Sequence, residues 1–444
     1  MTRACDRYAV RLGRASDATE LARLQAAVQL QAATGGKPHP GIAAWVDGLL
    51  AGHPSVVPDD FLVAEEVATG RPVASLVGLR QDWSLAGVRL PVVQVELVGT
   101  APEHRGNRLT DRLFAALHER CAADGVPVQM IEGVPYFYRR YGYDYAFTHG
   151  GAATVPAAAL PPSEQGGPDD ATAVLTVHPA TVANADALAT IDRRLAEGEE
   201  ALVCPRDAAV WRYEITGRGP ADFIRRSVAV LRHGDDVRGY LVHGARLSAA
   251  GELTVFAATC ERPADWPEAA AAMYAYLGRV GRRYAAAEQP FVAVRPALDA
   301  DHPLVRVGPP GVPKRPAAWY ARTGDPVDLL ARLRPLLARR WHAADLRWRE
   351  PALVIDTYGR AARLEFTDGE LTAVTAARVA VDPTTDPDIH AAIPPHALLQ
   401  LALGHRSLPE VLDAWPDCIL RDRLTERFLT VAFPRVPVRV WPRN

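Results

Sequence analysis

The chain of 444 residues reads as a mixed α/β protein made of three successive α+β domains, and three observations lead there. Its length is roughly three times that of an ordinary domain. Two stretches dense in Pro and Gly interrupt it, Val155 to Pro168 and Gly308 to Pro316. Around these breaks, segments that alternate apolar and polar residues are interleaved with segments whose apolar residues recur at helical spacing. The expected boundaries are 1–155, 170–305 and 325–444.

In the N-terminal region, Tyr8 to Leu12 reads as a strand, with Ser16 or Asp17 as the cap of a helix from Ala18 to Leu30. Leu21, Leu24 and Val28 form that helix's apolar stripe. Phe61 to Glu65 and Val73 to Leu79 read as strands. Val93, Val95 and Leu97 alternate with Gln94, Glu96 and Val98, which predicts a strand ending near Thr100. Ala101-Pro102 closes it, because proline cannot continue a ladder. Leu109, Leu113, Leu117 and Cys121 then recur at helical spacing, so a helix begins near Arg108.

Between this strand and helix lies Glu103-His104-Arg105-Gly106-Asn107-Arg108. A helix start presents free backbone N–H groups and a positive dipole end, which suits an anion such as phosphate, and arginines add charge-assisted hydrogen bonds. A solvated basic turn capping a helix has the same sequence, and both readings stay open on the residues alone.

Past the first break, a helix is expected at Ala185 to Leu195, with strands at Val228 to Arg232, Gly239 to Val242 and Leu253 to Ala257. A helix from Pro267 to about Tyr284 and a strand at Phe291 to Val294 follow. Strand, strand, strand, helix, strand repeats the N-terminal order. The turn after the third strand, Thr259 to Asp265, is acidic and lacks glycine. It is expected to bind no cofactor and to wall a substrate cleft. Past the second break, Asp328 to Ala338 reads as a helix, Leu353 to Asp356 and Ala362 to Phe366 as strands, and Pro394-Pro395 opens another helix.

Composition excludes several classes. Hydrophobic residues make up 48% and charged residues 23%, as in ordinary globular proteins, and a net charge of -2 gives no electrostatic footing for nucleic acid. Five scattered cysteines, Cys5, Cys121, Cys204, Cys260 and Cys418, suggest neither a disulfide frame nor a metal site. With no secretory leader and no apolar run long enough to span a bilayer, a cytoplasmic location away from membranes is expected.

Two segments carry a resemblance. Ala101 to Leu109 resembles the acetyl-CoA loop of GCN5-related N-acetyltransferases, whose pattern is Arg or Gln, two residues, Gly, one residue, then Gly or Ala. Arg105 fits the first position, whereas Arg108 stands at the first glycine and Thr110 at the Gly or Ala. Gly133-Val134-Pro135-Tyr136-Phe137-Tyr138-Arg139-Arg140-Tyr141-Gly142-Tyr143 resembles a loop of the enhanced intracellular survival (Eis) proteins. The resemblance implies two tandem acetyltransferase-like domains, the second degenerate, followed by a domain similar to sterol carrier protein 2. It also implies a homo-oligomer, hexameric in that family.

The same resemblance implies the site. Val98, Gly99 and Thr100 would meet the pantetheine arm of acetyl-CoA, and Arg105, Gly106, Asn107, Arg108 and Leu109 its pyrophosphate. Arg108 would either obstruct the pyrophosphate or swing out and pair with a phosphate. Tyr138 aligns with the general acid to the CoA sulfur, although so dense a tyrosine loop also suits plain packing. Two bases are expected: the α-carboxylate of Asn444, from the family, and Glu96, acting through water. No His spacing suits a metal ligand set, and His104, His118 and His149 read as surface residues, so no metal is expected. The implied activity is acetyl transfer to a primary amine of a small cationic acceptor, aminoglycoside-like or lysine-type, favoured by an acidic lining from Glu132 or Asp144. The alternative is a non-catalytic protein that binds a ligand or partner through a degraded loop.

Overall fold

The computed structural model describes residues 7–29, 35–161, 174–286 and 289–441. Asn444 and the later part of the first Pro/Gly-rich stretch, 162–168, lie outside the described residues.

The first unit runs β1 (Tyr8–Leu12), α1 (Ala18–Val28), α2 (Pro40–Ala51), β2 (Phe61–Glu66), β3 (Arg71–Leu85), β4 (Val88–Thr100), α3 (Leu109–Ala123), β5 (Val128–Ile131) and β6 (Asp144–His149). Strands β1 to β4 pair antiparallel in sequence order, and β4 pairs parallel with β5. Helix α3 packs Leu109, Leu113, Phe114 and Leu117 on one face of the sheet against Val93 and Val95. Helices α1 and α2 cover the other face through Leu21, Trp45, Val46 and Leu49. The reading had no counterpart for α2, because it is apolar nearly all round and shows no amphipathic period to find. Asp17 is the N-cap residue of α1 but makes no side-chain bond to the helix: its carboxylate accepts from Arg14 N–H at 2.8 Å and pairs with Arg11 at 2.7 Å.

Two features of β4 shape the site. Ser75 lies opposite Gly99 and Val77 opposite Glu96, so Leu97 and Val98 together face Leu76 in a β-bulge. Leu97 adopts φ +52 and packs with Val77 and Leu79 under α1 and α2, not beside Val93 and Val95 where simple alternation put it. The pairing of β4 with β5 stops at Val95 and Ile131. Beyond that point β4 continues to Thr100 with β3 on one edge and a fork on the other.

The second unit runs β7 (Val155–Pro156), β8 (Thr176–Pro179), α4 (Ala185–Gly198), β9 (Leu202–Val203), α5 (Ala208–Arg212), β10 (Arg226–His233), β11 (Asp236–Gly244), β12 (Glu252–Cys260), α6 (Trp266–Tyr284), β13 (Ala293–Pro296) and α7 (Pro303–Arg306). Its six-stranded sheet has the order β7-β13-β12-β11-β10-β8. Again three antiparallel strands lead through a helix to a parallel fourth, and the pairing of β12 with β13 stops at Val255 and Pro296, short of the end of β12. Residues 155 and 156, read as linker, form β7 at the edge of this sheet.

The last unit runs β14 (Ala317–Thr323), α8 (Pro326–Ala343), β15 (Ala352–Asp356), β16 (Ala361–Thr367), β17 (Glu370–Ala377), β18 (Ala391–Ala392), α9 (Pro395–Ala402), α10 (Leu408–Ala414), β19 (Ile419–Leu420), α11 (Arg423–Ala432) and β20 (Val438–Arg439). Strand β14 inserts between β5 and β6 of the first sheet, antiparallel to both. Short strands β9 and β20 pair with each other, and β9 continues onto β3. Strands β15 to β19 form a separate five-stranded sheet. One continuous core joins Trp83, Val92 and Trp319 of the first sheet through α8 to Leu353 and Leu364 of this sheet, so the C-terminal region is welded to the first unit.

Candidate active site

The fork between β4 and β5 opens into a cleft of ≈ 1120 Å³, exposed to solvent. Val98, Gly99 and Thr100 line one wall; Arg105, Gly106, Arg108 and Leu109 line its end; Tyr138 and Tyr141 line the other wall. Of the five residues expected at the pyrophosphate, Asn107 alone does not line it. Its amide donates to the carbonyls of His104 (2.9 Å) and Arg105 (3.3 Å), bracing the turn from within.

Local conformation explains the sequence of that turn. Gly106 has φ +81 and Arg108 φ +53, both left-handed, where a glycine is easiest. The pattern's glycine therefore reflects a backbone requirement at position 108, and Arg108 meets it with strain. Its side chain, 84% exposed, points out to Asp111 at 2.8 Å. Thr110 turns its hydroxyl toward that of Thr100, 3.3 Å away. Gly99 is fixed by packing, since a Cβ there would lie 2.4 Å from Val28 Cγ2. On the same wall Gln29 Nε2 donates to the Val98 carbonyl at 3.0 Å.

The first-turn amides of α3 have no acceptors within the helix, and the dipole adds positive potential there. With Arg105 and Arg140 at the rim, this end of the cleft suits a pyrophosphate, and the unpaired edge of β4 suits an amide-bearing arm. Acyl-CoA has both parts, so the residues fit it.

The tyrosine loop separates into structural members and one exception. Tyr141 donates to Asp111 (2.8 Å) and stacks on Phe114 with centroids 4.2 Å apart. Tyr143 meets His118 Nε2 at 3.2 Å. Tyr320 of β14 donates to Tyr145 (2.9 Å) and accepts from Tyr136 N–H (2.6 Å). From α9, His396 reaches the Gly142 carbonyl (3.0 Å) and Gln400 that of Tyr145 (2.8 Å). Tyr138, only 6% exposed, packs its ring against Phe114, Phe137 and Tyr320. Tyr138 lines the cleft, and its hydroxyl has no hydrogen-bond partner among the described residues. Burial, with the Glu96 charge second, pushes that phenol up to about 12.

Glu96 sits at the bulge, accepting from Gln94 Nε2 at 2.7 Å. Burial is the main cause lifting its carboxyl to about 7; Gln94 opposes this, and neighbouring Glu132 reinforces it. Asn444, the other expected base, lies outside the described residues. Asp144 is ion-paired with Arg139 at 2.7 Å and gives no free acidic lining. His104 and His118 are not surface residues. His104 bonds Tyr8 Oη at 3.0 Å in a buried position, and burial drives His118 down to about 4. No cluster of His, Cys, Asp or Glu among the described residues has the grouping of a metal site. Sequence reasoning missed Tyr320 and Gln29, which reach the site only through long-range packing.

A bulged strand forking away from its parallel neighbour and a helix start at the fork form a cleft whose residues suit an acyl-CoA. Residues 9–146 match the family of the acetyltransferase (GNAT) domain; this part of the chain is an acetyl-CoA-dependent acyltransferase domain. The likeness of fold extends further. A GCN5-related N-acetyltransferase from Anabaena variabilis superposes with a TM-score of 0.69 at 13% identity, covering 97% of this chain and 99% of its own. One from Kribbella flavida gives 0.64 at 18% identity over 97% and 98%. Eis1 from Mycobacterium abscessus gives 0.59 at 16% over 97% and 98%. Comparison with curated protein sequences gives no match. No described helix is long and apolar enough to cross a membrane.

Proposed function

We propose that the chain transfers an acetyl group from acetyl-CoA to a primary amine, with Tyr138 and Glu96 serving the two ends of the exchange. The observation that carries this is the Tyr138 hydroxyl: its side chain lines the cleft, yet unlike the hydroxyls of Tyr141, Tyr143 and Tyr145 it has no hydrogen-bond partner among the described residues. Acetyl-CoA supplies the thioester whose acyl carbon is attacked. Val98, Gly99 and Thr100 hold its arm and the Arg105–Leu109 turn its pyrophosphate. Glu96, titrating near 7, accepts the proton that the attacking nitrogen must lose.

Tyr138 donates a hydrogen bond to the sulfur as the carbon–sulfur bond breaks. Complete proton transfer from a phenol near 12 to a thiolate with a conjugate acid near ~8.5 would cost about 5 kcal/mol. Its part is therefore to stabilise developing charge, and solvent protonates the departed thiolate. The α-carboxylate of Asn444 is the competing base. Deleting Arg443 and Asn444 separates the two: activity that survives assigns the base to Glu96, and activity that vanishes assigns it to the terminus.

The region 170–305 is read as a second acetyltransferase-like domain, supported by its repeated strand order and fork, and 325–444 as the sterol-carrier-like domain. In the second fork, Thr259, Cys260 and Glu261 line a cavity of ≈ 1030 Å³ together with Val438 and Trp441; the acidic, glycine-free turn there supports its not being a second pyrophosphate site. The reaction is tested by following thiol release from acetyl-CoA with a panel of amines; release that no amine accelerates would overturn the proposal.

A further inference from the structure

Where β4 and β5 part, Glu96 and Glu132 each follow the last paired residues, Val95 and Ile131, and Glu132 lines a second cavity of ≈ 970 Å³, open to solvent where the first two sheets meet. Glu132, just past β5, faces it together with Arg225, Arg226 and Arg246, and Phe256 and Trp319 wall it. It belongs to the reacting centre electrostatically, since Glu132 and Arg226 both act on the Glu96 carboxyl. An acceptor here would have its nitrogen beside Glu96 and the rest of its body in the cavity.

The charges of that cavity are the opposite of what a polycation needs. Three guanidinium groups face one carboxylate. Arg246 is held in place by the carbonyls of Phe223 (2.6 Å) and Asp222 (3.3 Å). Buried Arg226 lies over the Phe256 ring, 4.6 Å from its centroid. Arg225 is exposed at the mouth. Like charges brought together in a partly desolvated site are repelled strongly, whereas a guanidinium fork matches a carboxylate in both charge and geometry.

Resting on the acetyltransferase reading above, we propose that the acceptor is a primary amine that also carries a carboxylate, of amino-acid type. Its ammonium end enters toward Glu132 and Glu96, its carboxylate is taken by the arginines at the mouth, and Phe256 and Trp319 flank the carbon skeleton between them. Loss of one ammonium proton to Glu96 frees the nitrogen lone pair to bond the acyl carbon; the carbon–sulfur bond breaks, the thiolate leaves, and the second nitrogen proton passes to solvent.

The test measures thiol release from acetyl-CoA with matched acceptors, phenylalanine against phenethylamine and lysine against cadaverine, with an aminoglycoside as the polycation. The carboxylate-bearing member of each pair is expected to have a kcat/KM at least about tenfold higher, the value of one charge-assisted hydrogen bond. Arg225→Ala and Arg225→Glu should each bring that ratio toward one, through KM. Equal or reversed preference, or an aminoglycoside used better than either amino acid, overturns this inference and leaves the acetyltransferase reading standing. No release with any amine, while acetyl-CoA still raises the melting temperature, overturns both.

Discussion

Glu96→Gln should make the protein more stable at alkaline pH while removing its base. The carboxyl is lifted from 4.5 to about 7, chiefly by burial, so the folded state prefers it protonated. For an acid raised in this way, stability is fully present below the ordinary value and is lost as pH rises through about 7. At ~1.4 kcal/mol per pH unit, the gap sets a ceiling of ~3 kcal/mol. Because the side chain is only part-buried, screening reduces this to about 2 kcal/mol. Glutamine keeps the hydrogen bond from Gln94 Nε2, now 2.7 Å long, and removes repulsion from Glu132. Thermal unfolding at pH 5 should show wild type and variant alike, and at pH 8 the variant should melt about 2–4 °C higher. A variant less stable than wild type at pH 8 would refute the reasoning. The activity of wild type should rise with pH through about 7, and this rise should be absent in the variant.

Four further outcomes follow from backbone geometry. Arg108→Gly relieves a left-handed strain of about 1 kcal/mol but frees the unfolded chain by a similar amount; stability should change by less than about 1 kcal/mol, and the melting shift given by acetyl-CoA should persist. Arg108→Val, whose branched side chain resists that conformation, should weaken acetyl-CoA binding in the same assay. Gly99→Ala drives a methyl group to 2.4 Å from Val28 Cγ2 and should cost about 1–3 kcal/mol in denaturant unfolding. Gly133→Ala, at φ +149 and 3.0 Å from Tyr138 Oη, should lower turnover by displacing that hydroxyl, measured as a fall in kcat at saturating acetyl-CoA.

Much of the first unit was legible because its signals are local. Tyr8–Leu12 has the predicted bounds, and the helix after the turn begins one residue past Arg108. Alternation failed at Leu97 because a bulge inserts a residue, which no period of two can show. Residues 317–323 lay in the gap between expected domains, yet form β14 between β5 and β6. That pairing joins residues far apart in sequence, so only the packed structure shows it. The same holds for Tyr320, which orders the tyrosine loop from β14. The meaning of Arg108 turned on its φ angle, which the residue name hides. Asp144 reads as a free acid in the sequence because nothing there marks Arg139 as the partner that pairs with it in the fold.

The most direct measurement is mass-spectrometric detection of N-acetylated amine formed from acetyl-CoA by wild type and by Tyr138→Phe, at saturating acetyl-CoA. Loss of one positioned donor to developing charge predicts a turnover lower by about a hundredfold with the Michaelis constant little changed. Equal turnover in the two proteins would contradict the assignment of Tyr138 and, with it, the reading of the fork as the reacting centre.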